Sequence, residues 1–235
     1  MPAYFASDVH LRLDCPDRGL RFADWVSGLS LSDTLVIAGD LCDFWFASRQ
    51  QGRGDNSLRC PGLKALAERA SQGGSVRIMV GNHDPWLGPF YEEVLGAQLV
   101  AEPLELEVHN LRVHLVHGHL LGGRSYWKAV MESRAFLRGF GTAPGFLARG
   151  LEDLLKQVND RGRAASDRRH LALYRHYADQ LEGRADLAVF GHIHRPHDDT
   201  SRPVRMIVLG SWIRGSSYLM IDDQGATLVS QDGTD

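Results

Sequence analysis

Thr34-Leu35-Val36-Ile37-Ala38-Gly39-Asp40-Leu41-Cys42-Asp43 is a run of β-favouring apolar residues that stops on a glycine and then delivers two carboxylates. A short run of this kind bounded by Gly reads as a buried strand, with the polar residues in the loop at its carboxyl end. Four other stretches share the design. Ala3 to Ala6 leads into Ser7-Asp8-Val9-His10, and Val76 to Val80 into Gly81-Asn82-His83-Asp84. Arg112 to Val116 leads into His117-Gly118-His119, and Asp186 to Phe190 into Gly191-His192-Ile193-His194. The loops at the carboxyl ends of strands are where open α/β sheets gather their ligands.

Between these runs, Arg18 to Gly28 and Gly62 to Gln72 carry apolar residues at helical spacing, which predicts crossover helices covering the sheet. Leu104 to Val108, His109-Asn110 and Leu111 to Val116 alternate as a hairpin does. Val204 to Leu209, Ser217 to Ile221 and Leu228-Val229 predict further sheet. Residues 124–184 break this rhythm. They hold no strand-like run, are rich in Leu, Ala, Arg and aromatics, and contain Pro144 among glycines, so they read as a helical cap of at least two pieces inserted into one domain spanning 1–235.

A chain of 235 residues, 43% of them hydrophobic, can bury a substantial core, which excludes a disordered chain. A net charge of −3 is not that of a dedicated nucleic-acid binder, and no nucleic-acid partner is expected. The basic charge is concentrated in residues 124–184, with 12 Lys and Arg against 7 Asp and Glu; the remainder has 14 against 22. That segment suits either solvated helix faces or contact with an anionic substrate or membrane surface. Cys15, Cys42 and Cys60 form no CxxC pair, and their odd number favours reduced thiols over a disulfide framework. The first residues lack a basic leader and a long apolar stretch, and no run reaches the ~18 apolar residues that span a bilayer. The expectation is a cytoplasmic protein whose only route to a membrane is to lie against it.

Metal-assisted phosphoryl chemistry calls for carboxylate, imidazole and carbonyl oxygen, with one carboxylate shared where two ions sit about 3.5–4 Å apart. Asp8-x-His10 puts alternate side chains on one face of extended backbone, and His192-x-His194 repeats the spacing. Asp40 follows Gly39, whose small size lets the backbone approach the ions, and is assigned the shared position. Asn82 offers an amide oxygen without charge. The expected metal ligands are therefore Asp8, His10, Asp40, Asn82, His117, His192 and His194. An isolated Asp-x-His or Gly-Asp means little, but five such blocks in order, each after an apolar strand, are hard to obtain by chance. His83 is kept off the metals as a proton donor toward the leaving group. His109, His114, His170 and His176 are read as surface or core residues, His197 is left open, and Asp84 is read as an ordinary loop carboxylate.

These five blocks, in this order, resemble the calcineurin-like metallophosphoesterase family over most of residues 1–210. The resemblance implies an α/β fold, a four-layer αββα sandwich, with two divalent metal ions that activate a water for in-line attack on phosphorus. Mixed oxygen and nitrogen ligation admits Mn, Fe, Zn or Co, with Mn2+ the expected ion. It also implies that Asp43, the second acid of Gly-Asp-x-x-Asp, orients His83 and favours its imidazolium form.

Asp43-Phe44-Trp45-Phe46 and Asp84 depart from the Ser/Thr protein phosphatases, which would carry Arg-Gly and Glu there. The stretches 39–46, 191–196, 208–212 and 215–218 instead resemble the UDP-2,3-diacylglucosamine pyrophosphatases of lipid A synthesis. That resemblance implies hydrolysis of the pyrophosphate of UDP-2,3-diacylglucosamine to UMP and 2,3-diacylglucosamine 1-phosphate. It brings a sugar-nucleotide lipid substrate and peripheral contact with the inner-membrane surface. Phe136, Leu137, Phe140, Phe146 and Leu147, with Leu151, Leu154 and Leu155, would either line an apolar slot for acyl chains or pack on their own domain. Arg124, Tyr126 and Arg134 would contact the headgroup and phosphate. Many members of that group have Arg in place of His83 and Asp in place of His119. These departures leave open a phosphodiesterase or phosphatase acting on another nucleotide-linked or cyclic nucleotide substrate. A scaffold without catalysis is disfavoured, because no ligand is missing.

Overall fold

The structure, a computed structural model, describes residues 1–13, 15–43, 57–123, 133–142 and 163–231. In chain order the strands are β1 (Ala3–Ala6), β2 (Thr34–Ala38), β3 (Ser75–Met79), β4 (Gln98–Val100), β5 (Leu104–Val108) and β6 (Leu111–Val116). They continue as β7 (Leu187–Phe190), β8 (His197–Asp199), β9 (Arg205–Val208), β10 (Ser216–Asp222) and β11 (Gly225–Gln231). The helices are α1 (Pro16–Gly28), α2 (Pro61–Ser71), α3 (Arg134–Gly141) and α4 (Arg163–Asp179), with a π-helical turn at Phe90–Val94. Both α1 and α2 open on a proline, whose missing N–H would have had no partner in the first turn.

Alternation along β2 explains the layering. Leu35 and Ile37 pack with Phe22 and Val26 of α1 and Leu63 and Leu66 of α2. Val36 and Ala38 point the other way and pack with Val113, Leu115, Val189 and Ile207 of a second sheet. Both faces of the strand are thus apolar, and each fully buried Leu, Ile or Val contributes about 1.5–3 kcal/mol. The first sheet runs β11-β10-β1-β2-β3-β4 and the second β5-β6-β7-β9-β8. On the outer face of the second sheet, Tyr174 and Ala178 of α4 meet Phe190, Met206 and Val208, with the Tyr174 and Phe190 rings stacked at 4.3 Å. The order is helix, sheet, sheet, helix, the αββα sandwich expected.

The β5–β6 hairpin has the foreseen pairing, Leu104 with Leu115 through Val108 with Leu111, and His109 and Asn110 take the positive φ of 46° and 66° that a two-residue hairpin turn requires. β4, β8 and the π-helical turn were not foreseen: the strands have three residues each, and β8 is His-Asp-Asp, too polar and short to show alternation. Within the segment 124–184, residues 133–142 and 163–184 are described and hold α3 and α4, while 124–132 and 143–162 lie outside the described residues.

Strands β1, β2 and β3 are mutually parallel, as are β6, β7 and β9. Five carboxyl ends, those of β1, β2, β3, β6 and β7, therefore open on one rim. Backbone bonds continue past the strands and knit the loops together: Asp8 N–H to Gly39 O, His10 N–H to Asp40 O, and Gly191 N–H to His117 O.

Candidate metal centre

The backbone at this rim is bent in an unusual way. Asp8, His10, Asp40 and His192 have φ of 51°, 51°, 53° and 65°, and these four expected ligands are most of the six non-glycine residues in the left-handed region among the described residues. L-residues adopt that conformation at a cost, which surrounding contacts must hold in place. At Asp40 the holding is visible: its Oδ1 accepts the His83 N–H at 2.7 Å, and Asp8 Oδ2 accepts the His192 N–H at 2.8 Å and the Ser7 hydroxyl at 2.6 Å. Space is just as tightly allotted, since a Cβ on Gly81 would lie 2.1 Å from Asp40 Oδ1.

With those oxygens engaged, the remaining ones face imidazoles. Asp40 Oδ2 lies 3.8 Å from His10 Nε2 and 3.7 Å from His117 Nε2. Asp8 Oδ1 lies 3.5 Å from His194 Nε2 and 3.8 Å from His10 Nε2, and it is buried with no hydrogen-bond partner among the described residues. His117 Nδ1 donates to Ala38 O at 2.7 Å, which turns Nε2 toward the centre, 3.2 Å from Asn82 Oδ1. His10 Nε2 and His194 Nε2 face each other at 3.2 Å. Lone pairs converging in a buried place repel unless a cation lies among them, so the donor set fits divalent metal ions. Among the described residues, three overlapping groups satisfy the distances for holding one: Asp8-His10-His194, His10-Asp40-His83 and Asp8-Asp40-His117. His192 stands outside these groups, its ring centroid 5.5 Å from that of His117.

The charges agree. Burial alone would raise Asp8, yet the imidazoles of His10 and His194 hold it well below the usual carboxylate range. Burial and the neighbouring His83 lower His10, and burial with His117 lowers His192 strongly, which keeps both rings neutral with lone pairs to offer.

Residues 1–196 match the family model described as calcineurin-like phosphoesterase. The chain belongs to this family. Among relatives of this phosphoesterase, the UDP-2,3-diacylglucosamine hydrolase of Aeromonas salmonicida is 31% identical over 94% of this chain and 89% of that protein. The protein of the same name from Hahella chejuensis is 27% identical over 98% and 97%. Among solved structures, an archaeal phosphodiesterase covers 98% of this chain and 100% of that one at 15% identity, with a TM-score of 0.47.

In this phosphoesterase His83 stands beside the metal donors and is tied elsewhere. Its Nδ1 donates to Asp43 Oδ1 at 3.0 Å, while Arg12 donates to the other oxygen of Asp43 at 3.3 Å. Burial works against a charge on His83, but Asp40 and the bond to Asp43 prevail and raise it to about 9. Asp84, read from sequence as an ordinary loop acid, is nothing of the kind. It is 1% exposed and accepts the backbone N–H groups of Asp40, Leu41, Cys42 and Gly81. Burial, then the charge of Asp40, raises it to about 6.

His170, read as a surface or core residue, is half-exposed on α4, which brings its ring to 5.0 Å from that of His192, with Nδ1 donating to Ser166 O. Nothing in the sequence signals this, because a separation of 22 residues becomes a contact only through the docking of α4. His119, the departure noted above, is buried with its ring 5.1 Å from that of His117. Arg124 and Tyr126 lie outside the described residues, as do Phe146, Leu147, Leu151, Leu154 and Leu155. Arg134 opens α3, but its side chain and that of Leu137 are outside the described set. Phe136 and Phe140 stack along α3 with centroids 5.8 Å apart.

Proposed function

We propose that this phosphoesterase hydrolyses the pyrophosphate of UDP-2,3-diacylglucosamine, releasing UMP and 2,3-diacylglucosamine 1-phosphate for lipid A synthesis. What carries the reading is a metal-donor set at one rim in a chain that aligns over nearly its whole length with hydrolases of that name, at 27–31% identity. Asp8, His10 and His194 would hold one ion and Asn82, His117 and His192 the other, with Asp40 shared. Mn2+ is the proposed ion, ahead of Fe, Zn or Co. When bound, the pair supplies Lewis acidity at the phosphoryl oxygens and raises the acidity of water.

The chain's own residues do the rest. His83, oriented by Asp43, delivers a proton to the departing phosphate oxygen. Asp84 holds the backbone of the Asp40 loop so that Asp40 keeps its place. Residues 124–184 form the inserted cap, in which Phe136 and Phe140 join an apolar slot for acyl chains and Arg124, Tyr126 and Arg134 meet the headgroup. The basic charge of the cap suits a cytoplasmic enzyme resting on the inner-membrane surface. No described helix is long and apolar enough to cross a membrane.

Incubating the purified, Mn2+-loaded protein with UDP-2,3-diacylglucosamine and following UMP release tests the reading. Stoichiometric UMP and lipid phosphate are expected. Absence of that turnover together with hydrolysis of a cyclic nucleotide would replace it with a phosphodiesterase.

A further inference from the structure

Beside His10, His83 and His194 the rim opens into a cleft of about 580 Å³, a size suited to a small organic ligand. Its walls come from Arg18 in the first turn of α1, the turn His194–Pro196, Ser211 and Ile213–Gly215 of the loop before β10, Ser216 and Ser217 of β10 itself, and Ser230 and Gln231 of β11. Among the described residues, Pro196 and Ile213 are the apolar side chains lining it. Acyl chains need continuous apolar surface, which two apolar side chains set among arginines and serines on the described walls do not provide.

What it offers instead is hydrogen-bond donors and positive charge. Arg18, Arg195 and Arg214 face Asp43 and Asp167 across the lining, and Asp43 is already engaged by His83 and Arg12. Several other surface arginines are matched to acids, Arg112 to Asp186, Arg202 to Asp179 and Arg205 to Asp198, while Arg59, Arg168 and Arg169 have no such match among the described residues and do not line the cleft. Arg195 and Arg214 are exposed and make no ion pair or hydrogen bond with the described residues. Arg18 is half-buried; one Nη donates to the His10 carbonyl, and its Nε is buried with no partner. Among the described residues the Nε atoms of Arg21 and Arg77 are likewise buried without a partner; of the three arginines, Arg18 lines the cleft and is placed to find an acceptor there. Guanidinium forks with serine hydroxyls and an amide beside them match phosphate oxygens, ribose hydroxyls and a polar base.

We infer that this cleft receives the nucleoside monophosphate half of the substrate, with Arg195 and Arg214 as its binding residues and the acylated sugar on the other side of the scissile bond. The inference rests on the pyrophosphate reading above, since it supplies that reading with a place for the nucleotide.

The test is calorimetric titration of UMP, and separately of 2,3-diacylglucosamine 1-phosphate, into the Mn2+-loaded protein and its Arg195→Glu/Arg214→Glu variant. Both positions are exposed, so the variant should keep the parent's melting temperature, and an Arg195→Lys/Arg214→Lys variant provides a second, charge-preserving comparison. The charge reversal is expected to weaken UMP at least about tenfold, the scale of one charge-assisted contact, while the lipid phosphate changes less than about twofold. Unchanged UMP affinity overturns the inference, as does equal weakening of both ligands, which would report bulk charge. The two claims fail separately. Arginine-dependent UMP binding without turnover of UDP-2,3-diacylglucosamine removes the substrate and keeps the cleft; turnover with arginine-independent UMP binding does the reverse.

Discussion

The backbone N–H of Asp40 donates to Asp84 Oδ1 at 2.9 Å. The same oxygen takes the Gly81 N–H at 2.8 Å, and the other takes those of Leu41 at 2.7 Å and Cys42 at 3.3 Å. One carboxylate thus collects four donors from two loops. Asp84→Ala would strand them in a buried place, and a loss of about 3 kcal/mol or more is expected. Urea unfolding measures this, and elemental analysis should show a parallel fall in bound metal. Asp84→Asn, which keeps one acceptor oxygen, should fall between.

Gly81→Ala is expected to abolish metal binding and activity together, because the new methyl would sit 2.3 Å from the Asp40 nitrogen as well as on its carboxylate. Gly73→Ala is the matched control: its φ is +88° and no atom lies within 4 Å of the added methyl. Backbone strain of about 1–2 kcal/mol should be its only effect. If Gly81→Ala retained normal metal content, the tight packing would have no functional meaning.

Asp40→Ala and His83→Ala should separate. The first is expected to lose metal and turnover. The second should keep its metal and lose about 10²–10⁴-fold in kcat, the range for a positioned proton donor. Asp43→Asn should resemble His83→Ala in metal content with a smaller loss of rate. Equal metal loss in the Asp40 and His83 variants would count against a proton-donor role.

Removing the ions with a chelator should lower the melting temperature, since ligands that bind only the folded state stabilise it by mass action. Restoring Mn2+ should recover the transition in proportion to its concentration. An apo protein with the parent's melting temperature would contradict the bare, buried Asp8 oxygen.

Away from the centre, His114 bonds to Glu105 at 3.1 Å and the Tyr177 hydroxyl at 3.0 Å. Burial lowers its pKa, outweighing the raising influence of Glu105. The unfolded chain, with an ordinary histidine near pH ~6.5, then binds more protons than the native state below that value. Its contribution to stability is complete above this pH and is lost as pH falls from there through the lowered value of the folded state. Melting temperatures recorded from pH 7.5 down to 5.5 should decline less steeply in His114→Gln than in the parent.

Where side chains repeat with a strand's period and end on Gly, the sequence was readable: β2, β3 and β7 and the loops after them sit where their residues suggested. Asp8, His10, Asp40, His117 and His194 converge because parallel strands share one carboxyl end, a rule that needs no distances. Asp84 was misread because its importance lies in four backbone N–H groups, and backbone donors have no letter in a sequence. Arg195 and Arg214 were passed over for a related reason. Freedom from an acidic partner is a property of the surroundings, visible only once Asp179, Asp186 and Asp198 are seen to be spoken for by other arginines.

His117 belongs to the loop after β6, yet its ring is tethered to the carbonyl of Ala38, the last residue of β2. The centre is therefore a rivet through both halves of the sandwich. Any shear between the two layers is converted at once into altered spacing among the ligands. A substitution buried far from the rim, such as Val36→Ala or Leu115→Ala, should announce itself in catalysis through that lever as well as in thermal resistance.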